Sequence, residues 1–249
     1  GQSHAIYLTK EHLGGPMNMI FSDTLIETDF SFIADEKMDV VAWVKAVPDP
    51  RRFGVAVTDA EGKVTHLVEK PETIENNLAV VGCYYFRESA DLVTAIDKQI
   101  ELNVTLKNEF FLADAINIML EKGANARAET VDLWLDTGTI DATLETNATM
   151  LEGASVGSFE GEGVKIVEPV YIHHSAQVSY SKIGPNVSIG ADCIISQSEI
   201  SDSIIERETN IHSSVLTHSL IGKQAYVEGC GEGEAPSTLN IGDNSVIKK

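Results

Sequence analysis

Basic residues, aromatic residues and long apolar runs are all scarce in this sequence of 249 residues. It has 18 Lys and Arg against 38 Asp and Glu, which gives a formal net charge of −20 at pH 7. A surface of this sign gains nothing from a nucleic-acid backbone or an anionic membrane, so the sequence predicts neither as a partner. No apolar run reaches the roughly 20 residues that a membrane-spanning helix needs.

Cysteine is scarce as well. The three cysteines, Cys83, Cys193 and Cys230, lie far apart and show no metal-ligand spacing. Two of them lie in apolar, strand-like runs, which favours buried free thiols. Free thiols are typical of a reducing compartment, so we expect a cytoplasmic protein.

The first half of the chain alternates between two apolar patterns. Continuous apolar runs at 39–46 and 78–86 predict buried strands, while helical spacing predicts helices over 89–100, 109–121 and 140–151. Strands that alternate with helices are typical of an α/β domain, and we expect its sheet to be mostly parallel.

Carboxylates follow two of the predicted strands. Asp23 comes after the apolar residues 17–21, and Asp136 comes after the run that starts at Ala126 and before the turn residue Gly138. Ligands of α/β sheets bind at the carboxyl ends of strands, which makes both residues candidates for a site. The alternative for each is a turn or a helix cap.

A third strand end carries a charge pair. Glu69 and Lys70 follow the predicted strand 64–68, and adjacent side chains of a strand point to opposite faces. The acid could therefore meet a hydroxyl group while the base meets a phosphate, or both could be solvated. In the next strand Gly82 interrupts the apolar run, which indicates a close approach of backbone or ligand.

The second half of the chain is a short-period repeat. From Val170 onward, aliphatic residues recur every five or six positions, and Ile189, Ile205 and Ile221 lie 16 residues apart. Three short strands per turn, each with one inward aliphatic side chain, predict a triangular parallel β-solenoid of about three and a half turns. The pattern resembles the hexapeptide-repeat left-handed β-helix, and the handedness comes from that resemblance.

Six motifs follow one another in the order found in a known family. They are Gly1-Gln2-Ser3-His4-Ala5-Ile6, Ser22-Asp23-Thr24, Phe53-Gly54-Val55, Glu69-Lys70-Pro71, Ala79-Val80-Val81-Gly82-Cys83-Tyr84 and Trp134-Leu135-Asp136-Thr137-Gly138-Thr139. Over nearly its whole length the chain resembles the sugar-1-phosphate nucleotidyltransferases, in particular the glucose-1-phosphate thymidylyltransferase group in its long form with a C-terminal left-handed β-helix. The implied domains are a nucleotidyltransferase catalytic domain at 1–152, a linker at 153–169 and the β-helix at 170–249.

The resemblance implies an enzyme of nucleotide-sugar biosynthesis. It would transfer a nucleotidyl group from dTTP or UTP to a sugar 1-phosphate, with glucose 1-phosphate as the expected acceptor, and release pyrophosphate. By the same resemblance, Asp23 and Asp136 bind Mg²⁺, Lys70 contacts the sugar phosphate, and Glu69 accepts hydrogen bonds from sugar hydroxyls. Lys70, Asp23 and Asp136 are thus the implied catalytic residues.

Three further residues fall on substrate-binding positions of the family. Gly54 and Val80 match positions where the backbone faces the sugar, and Gly1 matches the loop that approaches the nucleobase. The family's Gly-rich triphosphate loop, of the type Gly-x-Gly-Thr-Arg, has no counterpart from Gly1 onward. We therefore expect an N-terminally truncated chain that is weak or inactive alone.

Two other functions remain open at this point. One is a non-catalytic regulatory or assembly subunit of the same fold, and the other is a bifunctional enzyme whose β-helix transfers an acyl group. A β-helix has exposed ends that need caps or partners, so we also expect a homo-oligomer. The nucleobase, the sugar and the number of subunits are not determined by the sequence.

Overall fold

The computed structural model describes residues 1–152, 159–231, 233 and 235–249. These residues form two compact units, Gly1–Leu135 and Asp136–Lys249. Among the described residues, no helix is both long enough and apolar enough to cross a membrane.

The first unit combines a mixed sheet with three helices. Its strands are β1 (Met17–Ile20), β2 (Thr24–Glu27), β3 (Val40–Ala46), β4 (Gly54–Thr58), β5 (Val64–Glu69), β6 (Leu78–Phe86), β7 (Ala126–Thr130) and β8 (Leu133–Asp136), the last of which reaches the first residue of the second unit. Its helices are α1 (Gln2–Tyr7), α2 (Ser89–Glu101) and α3 (Leu112–Glu121). The six-stranded sheet has the order β5-β4-β6-β3-β7, with β1 also paired to β6, and β2 and β8 form a separate pair.

The strand directions correct the expectation of a mostly parallel sheet within this unit. In the six-stranded sheet, β3 and β7 pair in parallel, while β6 is antiparallel to β1, β3 and β4, and β4 is antiparallel to β5. The reason lies in the connections. A tight turn, in which Gly62 N donates to Asp59 O at 3.1 Å, joins β4 to β5 and forces them antiparallel. The helices α2 and α3 lie between β6 and β7.

The apolar runs of β3 and β6 are continuous because both faces of the sheet are covered. Val40 and Val44 of β3 pack with Leu92 and Ile116 of the helices, whereas Trp43 belongs to a second apolar cluster on the opposite face. This division follows from the two-residue period of a strand. The predicted buried strands at 39–46 and 78–86 are confirmed.

Two predicted elements have different limits in the structure. Helix α3 begins at Leu112 rather than at Glu109, because Leu106 and Glu109 exchange two backbone hydrogen bonds of 3.0 Å in a tight turn. The strand that leads to Asp136 is β8, which is separate from β7. The strand is interrupted at Val131 and Asp132, whose carbonyl oxygens accept hydrogen bonds from Lys45 Nζ at 3.2 and 2.5 Å.

The second unit consists of helix α4 (Ile140–Glu152) and a β-solenoid. The solenoid strands are β9 (Lys165–Ile166), β10 (Val170–Ile172), β11 (Gln177–Ser179), β12 (Lys182–Ile183), β13 (Val187–Ile189), β14 (Ile194–Ser196), β15 (Glu199–Ile205), β16 (Asn210–His212), β17 (Val215–Ile221), β18 (Tyr226–Glu228), β19 (Asn240–Ile241) and β20 (Val246–Lys248). All of their pairings are parallel, and Ile189, Ile205 and Ile221 lie in register as the 16-residue repeat predicts. The predicted architecture, an α/β domain followed by a parallel β-solenoid, is confirmed.

The solenoid is longer than predicted. One face has five strands in the order β11-β14-β16-β18-β20, one from each turn, so it has about five turns rather than three and a half. The first strand of the first turn, β9, was missed because it is only two residues long and lies inside the predicted linker, 153–169; it pairs with β12 of the next turn. Residues 153–158 of that linker lie outside the described residues.

Buried serines connect successive turns of the solenoid. Ser198 N donates to Ser181 Oγ, Ser214 N donates to Ser198 Oγ, and Cys230 N donates to Ser214 Oγ, at 3.1 to 3.2 Å. These bonds satisfy hydroxyl groups that would otherwise be costly to bury. All three cysteines of the chain are free and buried, as predicted.

Candidate functional site

The charge pair Glu69 and Lys70 lies where β5 ends. Lys70 has a φ of 47°, in the left-handed region, and its backbone N donates to Phe53 O at 2.9 Å. This conformation ends the alternation of the strand and brings Lys70 Nζ to 3.9 Å from Glu69 Oε1. The expectation that the two side chains point to opposite faces is therefore corrected.

Glu69 is the more buried member of this pair. Only 13% of its side chain is exposed, and burial raises the pKa of its carboxyl group. The neighbouring ammonium of Lys70 acts in the opposite direction, and the carboxylates of Asp114 and Glu109 add to the increase. A shielded carboxyl group is suited to hydrogen bonding with a hydroxyl group of a ligand.

Lys70 faces an aromatic ring as well as a carboxylate. Its Nζ lies 4.8 Å from the ring centroid of Phe111, the residue that precedes α3. A cation over a ring face is held electrostatically, so the ammonium is oriented but remains partly exposed. An ammonium in this setting can serve as a point charge for a phosphate.

Two polar residues near Glu69 were not predicted from the sequence. Burial raises the pKa of the Asp114 carboxyl, in the first turn of α3. Burial also raises the pKa of the Tyr84 hydroxyl, with a further contribution from Glu69. In the sequence, Asp114 is an acidic residue near the start of a helix, and Tyr84 is one residue of an apolar strand; neither position indicates a site. Asp114 lies on α3 and Tyr84 lies on β6, so only the tertiary packing makes them neighbours of Glu69.

Gly54 leaves space beside the Glu69 carboxylate. The two residues pair across β4 and β5, and a Cβ at position 54 would lie 3.0 Å from Glu69 Oε2. Val80 lies in the central strand β6, opposite Val44, and is buried in the apolar cluster. The predicted contacts of both backbones with a sugar remain predictions.

Gly1 packs against the segment that carries the aromatic partner of Lys70. A Cβ at position 1 would lie 2.5 Å from Phe110 O, and Ser3 Oγ donates to Phe111 O at 3.0 Å. The structure thus brings Gly1, Gly54, Glu69 and Lys70 into one region around the start of α3. The predicted contact of Gly1 with a nucleobase stays a prediction.

Asp23 lies in the turn between β1 and β2, two residues after Phe21. Phe21 N donates to Gly82 O at 2.9 Å, and a Cβ at position 82 would lie 2.6 Å from the Phe21 ring. The close approach indicated by Gly82 is therefore made by a side chain of the protein. It fixes the start of the turn that holds Asp23.

Asp136 is the last residue of β8. Its Oδ1 accepts a hydrogen bond from Gly138 N at 3.0 Å, which forms a turn before α4. Within the described parts of the chain, no group of three or more His, Cys, Asp or Glu side chains is arranged to hold a metal ion. The assignment of Mg²⁺ to Asp23 and Asp136 thus remains a prediction.

Comparison with known families agrees with this arrangement. Residues 1–153 match the family described as nucleotidyl transferase, and residues 166–249 match the GMPPB C-terminal domain. The chain belongs to the nucleotidyl transferase family. The predicted family resemblance is confirmed, and it covers both units.

Similar proteins include two glucose-1-phosphate thymidylyltransferases. The protein of Streptomyces griseus is 27% identical, with 98% of this chain and 75% of the relative aligned. The protein of Streptomyces antibioticus is 30% identical, with 81% of this chain and 61% of the relative aligned. A crystal structure of a candidate glucose-1-phosphate thymidylyltransferase from Bacillus anthracis superposes with a TM-score of 0.51 at 24% identity, covering 64% of this chain and 63% of the other, which shows the shared fold.

Other relatives carry different names. They include the bifunctional protein GlmU of Methanococcus aeolicus, which is 24% identical over 97% of this chain and 62% of its own length. The two thymidylyltransferases support a nucleotidyl transferase of the sugar-1-phosphate type, although the relatives do not all carry the same name.

Proposed function

We propose that this chain carries the sugar-phosphate site of an enzyme that transfers a nucleotidyl group to a sugar 1-phosphate. The observation that supports this proposal is the position of the shielded Glu69 carboxylate beside Lys70 and Gly54, in a chain of the nucleotidyl transferase family. We further propose glucose 1-phosphate as the acceptor and dTTP or UTP as the donor. The names of the two Streptomyces relatives support this choice.

In the proposed reaction, a phosphate oxygen of the sugar 1-phosphate attacks the α-phosphorus of the triphosphate. A new P–O bond forms as the bond to pyrophosphate breaks, and no side chain becomes covalently attached. The protein contributes positioning and charge. Lys70 places a positive charge against the sugar phosphate, Glu69 accepts from a sugar hydroxyl, and Gly54 leaves room for the ring. The proposed backbone contacts of Val80 with the sugar and of Gly1 with the base complete the set.

We also propose that Asp23 and Asp136 bind Mg²⁺. Carboxylate oxygens are the hard donors that this ion prefers, and each residue lies in a turn at a strand end. Bound there, the ion would neutralise charge on the phosphate oxygens. The support for this pairing is the family resemblance and the chemistry of the two donors.

The test is Mg²⁺-dependent release of pyrophosphate from glucose 1-phosphate with dTTP and with UTP. It is run on this chain and on any longer product of the same gene, with Lys70→Ala, Asp136→Asn and an exposed control, Lys122→Ala. Activity that is lost in the first two variants and kept in the control supports the proposal. Absence of activity in every form, together with absence of glucose 1-phosphate binding by calorimetry, would favour the assembly subunit instead.

Assembly and location are part of the same proposal. We propose a homo-oligomer in the cytoplasm, because the solenoid leaves strand edges at its ends and the buried thiols are free. Light scattering of the purified chain measures the number of subunits. A monomer at all protein concentrations would contradict the proposed homo-oligomer.

A further inference from the structure

The loop that begins at Asp136 is bound to α4 by threonine side chains. Thr146 Oγ1 donates to Asp136 O at 2.8 Å. Thr143 Oγ1 lies at 3.1 Å from Thr137 O and at 2.8 Å from Thr139 O. Three carbonyl groups, those of Asp136, Thr137 and Thr139, thus accept hydrogen bonds from two threonine side chains that lie about one turn apart on the helix.

The same helix is bound to the solenoid. Asn147 Oδ1 accepts from Ser188 Oγ at 2.5 Å, and Asn147 Nδ2 donates to Asn186 O at 3.2 Å. His218 Nε2 lies 2.8 Å from Asp141 Oδ1, and Leu144 is buried. Both polar atoms of the Asn147 side-chain amide form hydrogen bonds with the solenoid, and these bonds hold the helix in place.

The composition of α4 fits this arrangement. Threonine and asparagine are weaker helix formers than alanine, yet the helix contains Thr143, Thr146 and Asn147 in its interior. Their hydrogen bonds to the loop and to the solenoid account for these residue types. Thr149 is different, because its hydroxyl donates only to Glu145 O within the helix.

We propose that the solenoid positions the Asp136 carboxylate through α4, with Asn147 and Thr146 as the positioning residues. Asn147 anchors the helix to the solenoid at Ser188, and Thr146, its neighbour in sequence, holds the Asp136 carbonyl. Ligands of a metal or substrate must be held to within about 0.5 Å, and packed secondary structure provides that precision better than a free loop does. The β-helix then has a positioning role in addition to any role in assembly. This inference rests on the proposed function of Asp136.

The first test measures the loop directly. Hydrogen exchange of the amides at 137–139 is compared between the wild-type chain, Asn147→Ala and the matched control Thr149→Ala. Alanine favours the helix at both positions, so helix formation itself is not weakened. We expect faster exchange in the loop for Asn147→Ala alone, while the amides of β3 and β6 remain unchanged. Equal exchange in all three proteins would overturn the inference.

The second test uses the active form of the protein. We expect Asn147→Ala, Ser188→Ala and Thr146→Val each to raise the Mg²⁺ concentration for half-maximal activity by about 10-fold, as loss of a ligand's supporting hydrogen bond commonly does. Ser188→Thr keeps the hydroxyl group and should restore the wild-type value. A purely structural role would lower Tm without changing this concentration, and that result would contradict the proposal.

The Asp136→Asn variant separates the two hypotheses. If it retains full activity, the proposed function of Asp136 fails. If it is inactive while Asn147→Ala shows wild-type Mg²⁺ dependence, the function stands and the positioning role fails. A double variant, Thr146→Val with Asn147→Ala, should be no more impaired than the more affected single variant, because both bonds act on the same loop.

Discussion

Glu69 ends an edge strand of the sheet, yet its side chain is mostly buried. Its neighbours come from distant parts of the chain, with Tyr84 on β6 and Asp114 on α3. Burial outweighs the attraction of Lys70, so the pKa of Glu69 is raised rather than lowered. At the scale of a single residue, the pKa of this carboxyl group is therefore set mainly by its burial in the folded chain.

A Glu69→Gln substitution should reveal the cost of this burial. Because the pKa is raised in the folded state, the folded chain binds this proton more tightly than the unfolded chain does. The resulting stabilisation is present below the unfolded-state pKa and is lost as pH rises through the folded-state pKa. Glutamine does not ionise, so the Tm of the variant should rise relative to that of the wild type as pH increases above the unfolded-state pKa of Glu69. Binding of glucose 1-phosphate should weaken in the same variant.

The control for this prediction is Glu72→Gln, at an exposed position three residues along the chain. It should show no such gain. A Glu69→Gln variant whose Tm runs parallel to wild type at every pH would contradict the assignment of burial as the dominant cause.

At the scale of elements, α3 protects the outer edge of the sheet. Asn117 Oδ1 accepts from Leu67 N at 2.8 Å, and Asn117 Nδ2 donates to Leu67 O at 2.9 Å. One side chain therefore satisfies a donor and an acceptor of the edge strand β5. An edge that is covered in this way is closed to pairing with another chain.

We expect Asn117→Ala to destabilise the first unit by about 1–3 kcal/mol, because it leaves both backbone groups of Leu67 without that partner. Urea unfolding followed by tryptophan fluorescence measures the effect, since both tryptophans, Trp43 and Trp134, lie in this unit. Glu121→Ala, at the exposed end of the same helix, is the control. Equal midpoints for the two variants would argue against an edge-protecting role.

The solenoid repeat makes a second prediction at this scale. Ile195 is 0% exposed, whereas the adjacent Ile194 is 41% exposed. Ile195→Ala should cost about 2–5 kcal/mol through lost burial and a cavity, and Ile194→Ala should cost much less. Circular dichroism during urea unfolding distinguishes them, and a similar loss in both would mean that the inward and outward positions are misassigned.

At the scale of the whole molecule, negative charge dominates. The formal net charge is −20, and many of the described ion pairs are exposed and contribute little. Mutual repulsion of the carboxylates should therefore oppose folding at low ionic strength.

We expect NaCl to raise Tm between about 0.01 M and about 0.5 M, as the Debye length falls and the repulsion is screened. A neutral osmolyte at the same osmolality is the control for water activity. A Tm that falls with NaCl would mean that the ion pairs outweigh the net charge.

The sequence predicted most of this architecture, and the misses have physical causes. The inward aliphatics of the solenoid and the apolar runs of β3 and β6 follow local periodicity, which a sequence displays directly. The start of α3 was misplaced because Glu109 lies in a turn that helical spacing does not reveal. The positive φ of Lys70 was likewise invisible, and it changes which way the side chain points.

By itself, the sequence determined the two architectures, the family and the residues at the strand ends, since these depend on period and on motif order. The tertiary structure decided the strand directions, the burial of Glu69 near Tyr84 and Asp114, and the attachment of α4 to the solenoid through Asn147. Each of these depends on contacts between residues far apart in the chain. Such contacts are set by packing, and local sequence patterns do not encode them.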